Sequence, residues 1–232
     1  MSLQAPVSTS ERVYQELRQM VVMGEIAQGD RLVQRQLATR LGVSSIPIIE
    51  ATRRLQHDGL VVLHPNWGAQ VRQWTDTDVR GAYQAREALE GIACQSFVEN
   101  AGAVQKARLV DMAREFDDLA RKFDHTGALE ADLLLHSHIV RSSGINSLIH
   151  IVESSCLITM TLRNAYRRRL RAGNEALEPG AHDKLIEILL HGTPRAAHRA
   201  GRTHVRGAYH KLQALMAEEA AHNILLSGEP NA

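Results

Sequence analysis

At 232 residues, 44% of them hydrophobic and 23% charged, the chain is long enough to bury one large core or two ordinary ones. Its formal net charge of +1 rules out a global electrostatic field as the signature of a nucleic-acid partner. Residues 1–75 nonetheless carry 8 Lys and Arg against 6 Asp and Glu, while residues 76–232 carry 19 against 20, a weakly basic head on a near-neutral body.

Cys94 and Cys156 form no short-spaced zinc or redox pair, so both are expected as buried thiols in a reducing compartment. No apolar run approaches the ~18 residues that read as a membrane span, and no basic start leads into an apolar segment. The expectation is a soluble, cytoplasmic protein with a disordered leader over 1–7 and a frayed tail over 227–232.

Ser8, Thr9 and Ser10 offer caps for a first helix with Val13, Leu17, Met20 and Val21 on one side, closed by Gly24. A second helix spans Gln34 to Leu41, with Leu37, Ala38 and Leu41 at helical spacing and Gly42 for the tight turn that ends it. Ser44 and Ser45 can cap a third. Pro47 is tolerated in its first turn, Ile48, Ala51, Thr52 and Leu55 continue the apolar spacing, and Gly59 stops it. Two short runs, Leu60 to Leu63 and Ala69 to Arg72, flank the turn formers His64 to Gly68 and read as a hairpin. Helix, turn, helix, hairpin predicts a winged helix-turn-helix, whose second helix enters the DNA major groove.

The wording "GDRLVQRQLATRLGVS", then Pro47, Glu50, Ala51, Leu55, "DGLV" and "PNWGAQV", resembles the DNA-binding domain of GntR-superfamily bacterial regulators over roughly residues 8–72. That resemblance implies a DNA-contacting role for Arg35, with Ser44, Ser45, Ile46 and Ile49 on the recognition helix, Arg53 and Arg54 near the phosphates, and Asn66, Trp67 and Gly68 at the wing. The family usually begins its recognition helix Arg-Thr-Pro-x-Arg, whereas this chain has Ser45, Ile46, Pro47, Ile48, Ile49, and Trp67 replaces a basic wing residue. Each missing arginine removes about 1–3 kcal/mol of affinity or discrimination.

Trp74 and Thr75 form a short linker, and Asp76 and Asp78 suit a helix N-terminus. The domain boundary is placed here, giving a DNA-binding domain over 1–75 and an effector and dimerisation domain over 76–232. Strand signals then vanish. Helices are predicted over about Thr77–Asn100, Val104–Phe123, Leu129–Ser142, Ser147–Arg171, His182–Leu190 and Pro194–Leu226, punctuated by Gly102, Gly127, Gly144, Gly173, Gly180 and Gly192. The fold class is mainly α, a winged helix-turn-helix followed by an all-helical antiparallel bundle. Arg167, Arg168, Arg169 and Arg171 read as a solvated helix face.

Asp132 and His136, four residues apart, share a helix face with Leu129, Leu133, Ile139 and Val140. Burying either unpaired would cost several kcal/mol, and a divalent cation would satisfy both. His182 shares a face with Leu185, Ile186 and Leu189, and His204 aligns with Ala197, Gly201, Ala208 and Leu215. The alternative for each is a hydrogen-bonded core histidine. As a set they suit zinc first, or nickel, manganese or iron, with positions left open for water or a carboxylate. Arg86 lies in a stripe with Val79, Ala82, Tyr83, Leu89, Ala93 and Phe97, and its guanidinium is expected to hold an anion or an internal acid such as Glu90.

Asp132, His136, His182 and His204, in that order, resemble the metal site of the FCD effector domain in the FadR-like branch of the same superfamily, over about residues 76–225. The resemblance implies that Arg86, in an "REALEG" segment, contacts an effector's carboxylate. The resulting reading is a homodimeric bacterial transcription regulator that reads a short palindromic operator and senses a small organic acid beside a metal. Dimerisation follows because one recognition helix reads too few base pairs. The competing readings are a metal-dependent hydrolase or lyase using the same four residues, and a sensor in which metal occupancy is itself the signal.

Overall fold

The computed structural model describes residues 8–170 and 178–227, with the side chains at 167, 169, 170 and 222–227 excepted. The expected leader, the tail beyond Ser227, Gly173, Arg171 and the side chains of Arg167 and Arg169 therefore lie outside the described residues. Two compact units are present, one ending at Asp76 and the other beginning at Thr77.

In the first unit, α1 (Thr9–Val22) starts at Ser8, whose hydroxyl accepts from Glu11 N at 3.1 Å. Its buried Val13, Leu17 and Val21 face α3 (Ser45–His57), which answers with Ile48, Ala51 and Leu55. Between them, α2 (Gln34–Leu41) ends at Gly42 in the left-handed region, φ +64°, where a side-chain-free residue lets Val43 N reach Ala38 O at 3.0 Å. Ser44 is the N-cap residue of α3 and is extended, but its side chain makes no capping hydrogen bond. Gly59, at φ +78°, closes α3.

The hairpin is β2 (Val61–His64) against β3 (Gly68–Val71), paired Val61 with Val71 through His64 with Gly68. A strand that the sequence pattern does not announce, β1 (Arg31–Leu32), pairs with β3 on its other side, giving the order β1-β3-β2. Two residues are too few to display an alternation.

The second unit contains six helices among the described residues: α4 (Asp76–Asn100), α5 (Ala103–Arg121), α6 (His125–Ser142), α7 (Asn146–Leu170), α8 (Asp183–His191) and α9 (Pro194–Ser227). Phe97 of α4, Leu109 of α5, Leu135 and Ile139 of α6, Leu185 and Leu189 of α8 and Ala197 of α9 form one core. Phe116, Ala128 and Ala131 form a smaller one between α5 and α6.

Two boundaries differ from the sequence expectation for local reasons. The fifth helix stops at Arg121, and Phe123 takes φ +58° and stays 63% exposed, so it is a linker residue and not the helix's last turn. The sixth begins four residues earlier than expected because Asp124 caps it, accepting from Gly127 N at 2.9 Å. Gly127 is thus inside the first turn, where an added Cβ would lie 2.5 Å from Asp124 Oδ2.

Tyr14 ties α1 to the end of α3, its hydroxyl donating to Asp58 Oδ2 at 2.6 Å. Burial, reinforced by that bond, raises the phenol above its ordinary value of 10.0. The unfolded phenol therefore ionises first. The stability it contributes is present below about pH 10 and is lost as pH climbs through the folded value. Thermal melts between neutral pH and about pH 11 should show this alkaline loss in the parent and a smaller one in Tyr14→Phe; equal losses would remove Tyr14 as the cause.

Candidate functional site

The recognition helix divides cleanly into two faces. Ile48, Ala51, Thr52 and Leu55 are buried, while Ser45, Ile46, Arg53 and Arg54 are exposed and Ile49 is half-buried. Ile46 is 64% exposed, a large apolar side chain facing water one residue into the helix. Arg35, on α2, is also exposed.

Arg54, expected near the phosphates, also has partners within the unit. Its Nη1 lies 2.6 Å from Glu11 Oε2 and its guanidinium carbon 3.6 Å from the centre of the Tyr14 ring, so it fastens α3 to α1. Glu11, 43 residues away in sequence, was not legible as its partner.

At the wing, Asn66 sits at φ +68° and Gly68 at φ +97°, which turns the hairpin. Trp67 stacks on His64 with ring centres 4.1 Å apart and planes 17° from parallel. Arg31 covers Trp67, its guanidinium carbon 4.7 Å from the ring centre, and donates to Trp67 O. Arg31 comes from the unexpected β1, so sequence reasoning missed this cation at the wing. Its only signal was position: it follows the Gly29 turn.

In the second unit the structure brings Asp132, His136, His182 and His204 together. Asp132 and His136 are one turn apart on α6, His182 is the N-cap residue of α8 and not its first helical residue, and His204 lies on α9. One nitrogen from each histidine lies within 4.8 Å of the others. Asp132 Oδ1 is 3.1 Å from His182 Nε2 and 3.8 Å from His136 Nε2. His136 and His182 are 3% and 2% exposed.

Two observations favour a shared cation over ordinary core histidines. His182 is buried with Nδ1 lacking any hydrogen-bond partner, and its Nε2 has only the Asp132 carboxylate, 3.1 Å away, to meet. His136 Nδ1 donates to Glu90 Oε2 at 2.7 Å, an arrangement that leaves Nε2 turned toward Asp132. The donors present, one carboxylate and three imidazoles, therefore fit a divalent transition metal. Burial, followed by the neighbouring His136 and His182, pushes His204 down to about 3, so its imidazole is neutral and has a free lone pair. Burial works against the charge of Asp132, but the close His182 and the charge on His136 outweigh it and hold the carboxyl well below its usual range.

Arg86 takes up the internal partner that was its alternative. Its Nε lies 2.6 Å from Glu90 Oε1 and its Nη1 donates to Thr159 Oγ1 at 2.8 Å. Both members of the pair are at most 6% exposed. Glu90 thus serves Arg86 through one oxygen and His136 through the other. Despite burial, the Arg86 charge first and the His136 contact next keep it well below the ordinary carboxylate range. Close helix packing supports this: a Cβ on Gly201 of α9 would lie 3.0 Å from Glu90 O and 2.7 Å from Cys94 Sγ. Cys94 and Cys156 are both buried, and burial raises both thiols.

Glu90→Gln keeps the shape but leaves Arg86 without its counter-charge, and should cost roughly 3–5 kcal/mol in denaturant titration. The exposed pairing of Glu87 with Arg202 and Arg206 is solvent-screened, so Glu87→Gln should change stability far less. Equal losses in the two variants would overturn the central place given to Glu90.

Comparison with known proteins follows the same division of the chain. The family model of bacterial regulatory proteins of the gntR family matches residues 9–71, and that of the FCD domain matches residues 81–207. The HTH-type transcriptional regulator YdhC of Bacillus subtilis is 28% identical over 132 residues, 57% of either chain. A probable D-xylose utilization operon transcriptional repressor of Paenarthrobacter nicotinovorans is 27% identical over 207 residues, covering 85% of this chain and 87% of its own. Among solved structures, Escherichia coli McbR/YncC superposes with a TM-score of 0.73 at 20% identity, over 90% of this chain and 98% of that one, which shows the shared fold. These matches correct the hydrolase or lyase reading, because the families and relatives found are transcriptional regulators. With the FCD match alone spanning more than half its length, the chain belongs to the gntR family of bacterial regulatory proteins, in its FCD-containing form, as a DNA-binding transcriptional regulator and not an enzyme.

Proposed function

We propose that the protein acts as a homodimer on a palindromic double-stranded operator, and that a small organic acid bound beside a divalent transition metal sets its operator affinity. The observation that carries this reading is the convergence of His136, His182 and His204, with Asp132 Oδ1 3.1 Å from His182 Nε2 and the buried Nδ1 of His182 without a partner. Those four side chains are the proposed ligands, for zinc first and for nickel, manganese or iron next. When bound, the metal supplies positive charge and open coordination positions. The chain's own residues do the rest: Glu90 orients His136, Arg86 orients Glu90, and the surrounding apolar helices exclude water.

At the other end, residues 1–75 are the proposed DNA-binding domain and 76–232 the effector domain. Arg35, Ser44, Ser45, Ile46, Ile49 and Arg53 form the proposed groove face, with Asn66, Trp67 and Gly68 at the wing; Arg54, on α3 and tied to Glu11 and Tyr14 of α1, braces this face beside the phosphates. Control is a linkage between the two: an acid that binds the non-DNA-competent arrangement more tightly lowers operator affinity by that differential alone. The relative named for a D-xylose utilization operon supports a metabolite as the signal.

Selection from a randomised duplex library, followed by anisotropy titration across a salt series, tests the DNA half. A palindromic site should emerge, bound at least tenfold more weakly by Arg35→Ala and with a shallower salt slope. The metal half is tested by metal content after dialysis: the parent should retain about one divalent ion per chain, and Asp132→Ala and His182→Ala should not. Enrichment of no sequence sinks the operator reading, and equal metal content in parent and variants sinks the site.

A further inference from the structure

The inner face of α7 presents Cys156, Thr159 and Arg163, spaced three and four residues apart, to the histidine cluster. Cys156 Sγ is 3.9 Å from Glu90 Oε1, Thr159 accepts from Arg86, and Arg163 Nη2 is 4.0 Å from Asp132 Oδ2. Two arginines thus flank the cluster, and they differ in what they already hold.

Arg86 has Glu90 and Thr159 at hydrogen-bond distance through two of its nitrogens. Arg163 has no such partner at Nη2, although that atom is buried. Its ion-pair partner, Asp132, stands 4.0 Å away, beyond hydrogen-bond reach, and is 3.1 Å from His182. A buried guanidinium N–H without an acceptor is costly, and a planar donor fork fits a carboxylate with two parallel bonds.

Charge points the same way. Arg86 with Glu90 is a neutral pair, and Arg163 with Asp132 is another. A divalent cation on those ligands would add two positive charges to an interior with no further buried acid among the described residues. An incoming anion is favoured over a neutral sugar, and the buried nitrogen it finds without an acceptor is Arg163 Nη2.

We propose that Arg163, and not Arg86, receives the carboxylate of the effector, while Arg86 is a positioning residue that holds Glu90 and through it His136. The assignment rests on the metal-and-acid reading of this site.

The test uses the full chain, with metal content measured first and zinc-loaded and zinc-free samples titrated in parallel with citrate, D-gluconate and D-xylose by calorimetry. One or both carboxylates should bind and D-xylose should not. Arg163→Met should retain zinc and lose at least tenfold in carboxylate affinity, and Arg163→Lys, with the charge but not the fork, should recover part of it. Circular dichroism checks that each variant folds, and Arg163→Lys carries the comparison if Arg163→Met does not. Carboxylates bound equally by the parent and both Arg163 variants would overturn the proposal, as would D-xylose binding as tightly as the acids or the parent binding neither acid. Failure of the parent to hold zinc would count against the metal site alone, since the zinc-free arm still reads the loss at Arg163.

Discussion

Glu90 is the buried charge on which the interior of the C-terminal unit depends. One oxygen meets Arg86, the other meets His136, and its backbone carbonyl lies against Gly201 of α9. A carboxylate placed so deep is tolerable only because the Arg86 guanidinium and an imidazole N–H share it, and the buried guanidinium is tolerable only because of the carboxylate. From this one side chain on α4 the positions of α6, α7 and α9 around the cluster follow: His136 on α6 faces it, Thr159 on α7 completes Arg86, and Gly201 lets α9 approach closely enough to bring in His204.

The cluster itself is a different kind of constraint. His182 packs edge-on against Phe116, ring centres 4.6 Å apart, yet its buried Nδ1 has no hydrogen-bond partner. Apolar packing fixes the ring while Nδ1 stays without a partner and Nε2 meets only Asp132. Structural histidines ordinarily show the reverse, with polar atoms satisfied first. Asp132 stands where it can serve both His136 and His182, and Arg163 waits one contact beyond it.

The N-terminal unit solves a simpler problem. Its recognition helix must be held by one face so that the other is free. Ile48, Ala51 and Leu55 supply the apolar hold, and Arg54, pinned between Glu11 and Tyr14, supplies a polar one. What remains outward is chemically unusual for a groove-reading surface, with Ser45 and Ile46 at the helix start and Arg31, Trp67 and His64 stacked at the wing. The basic character of this head is thus concentrated in few side chains, in keeping with its small formal charge.

Periodicity and punctuation were sufficient for the helices, for the hairpin and for the inward direction of Asp132, His136 and His204, because a helix repeats its faces every three to four residues and a glycine at positive φ marks its end. They were sufficient, too, for the regulator family, whose motifs lie in continuous stretches of chain. They did not show β1, too short to display a pattern, nor the early start of α6, which a single aspartate cap decides. Above all, periodicity states which way a side chain points and not what it meets. The pairing of Arg54 with Glu11, of His136 with Glu90, and the lack of a hydrogen-bond partner at Arg163 Nη2 are contacts between elements far apart in the chain. Only tertiary packing, which sets those distances, could decide them.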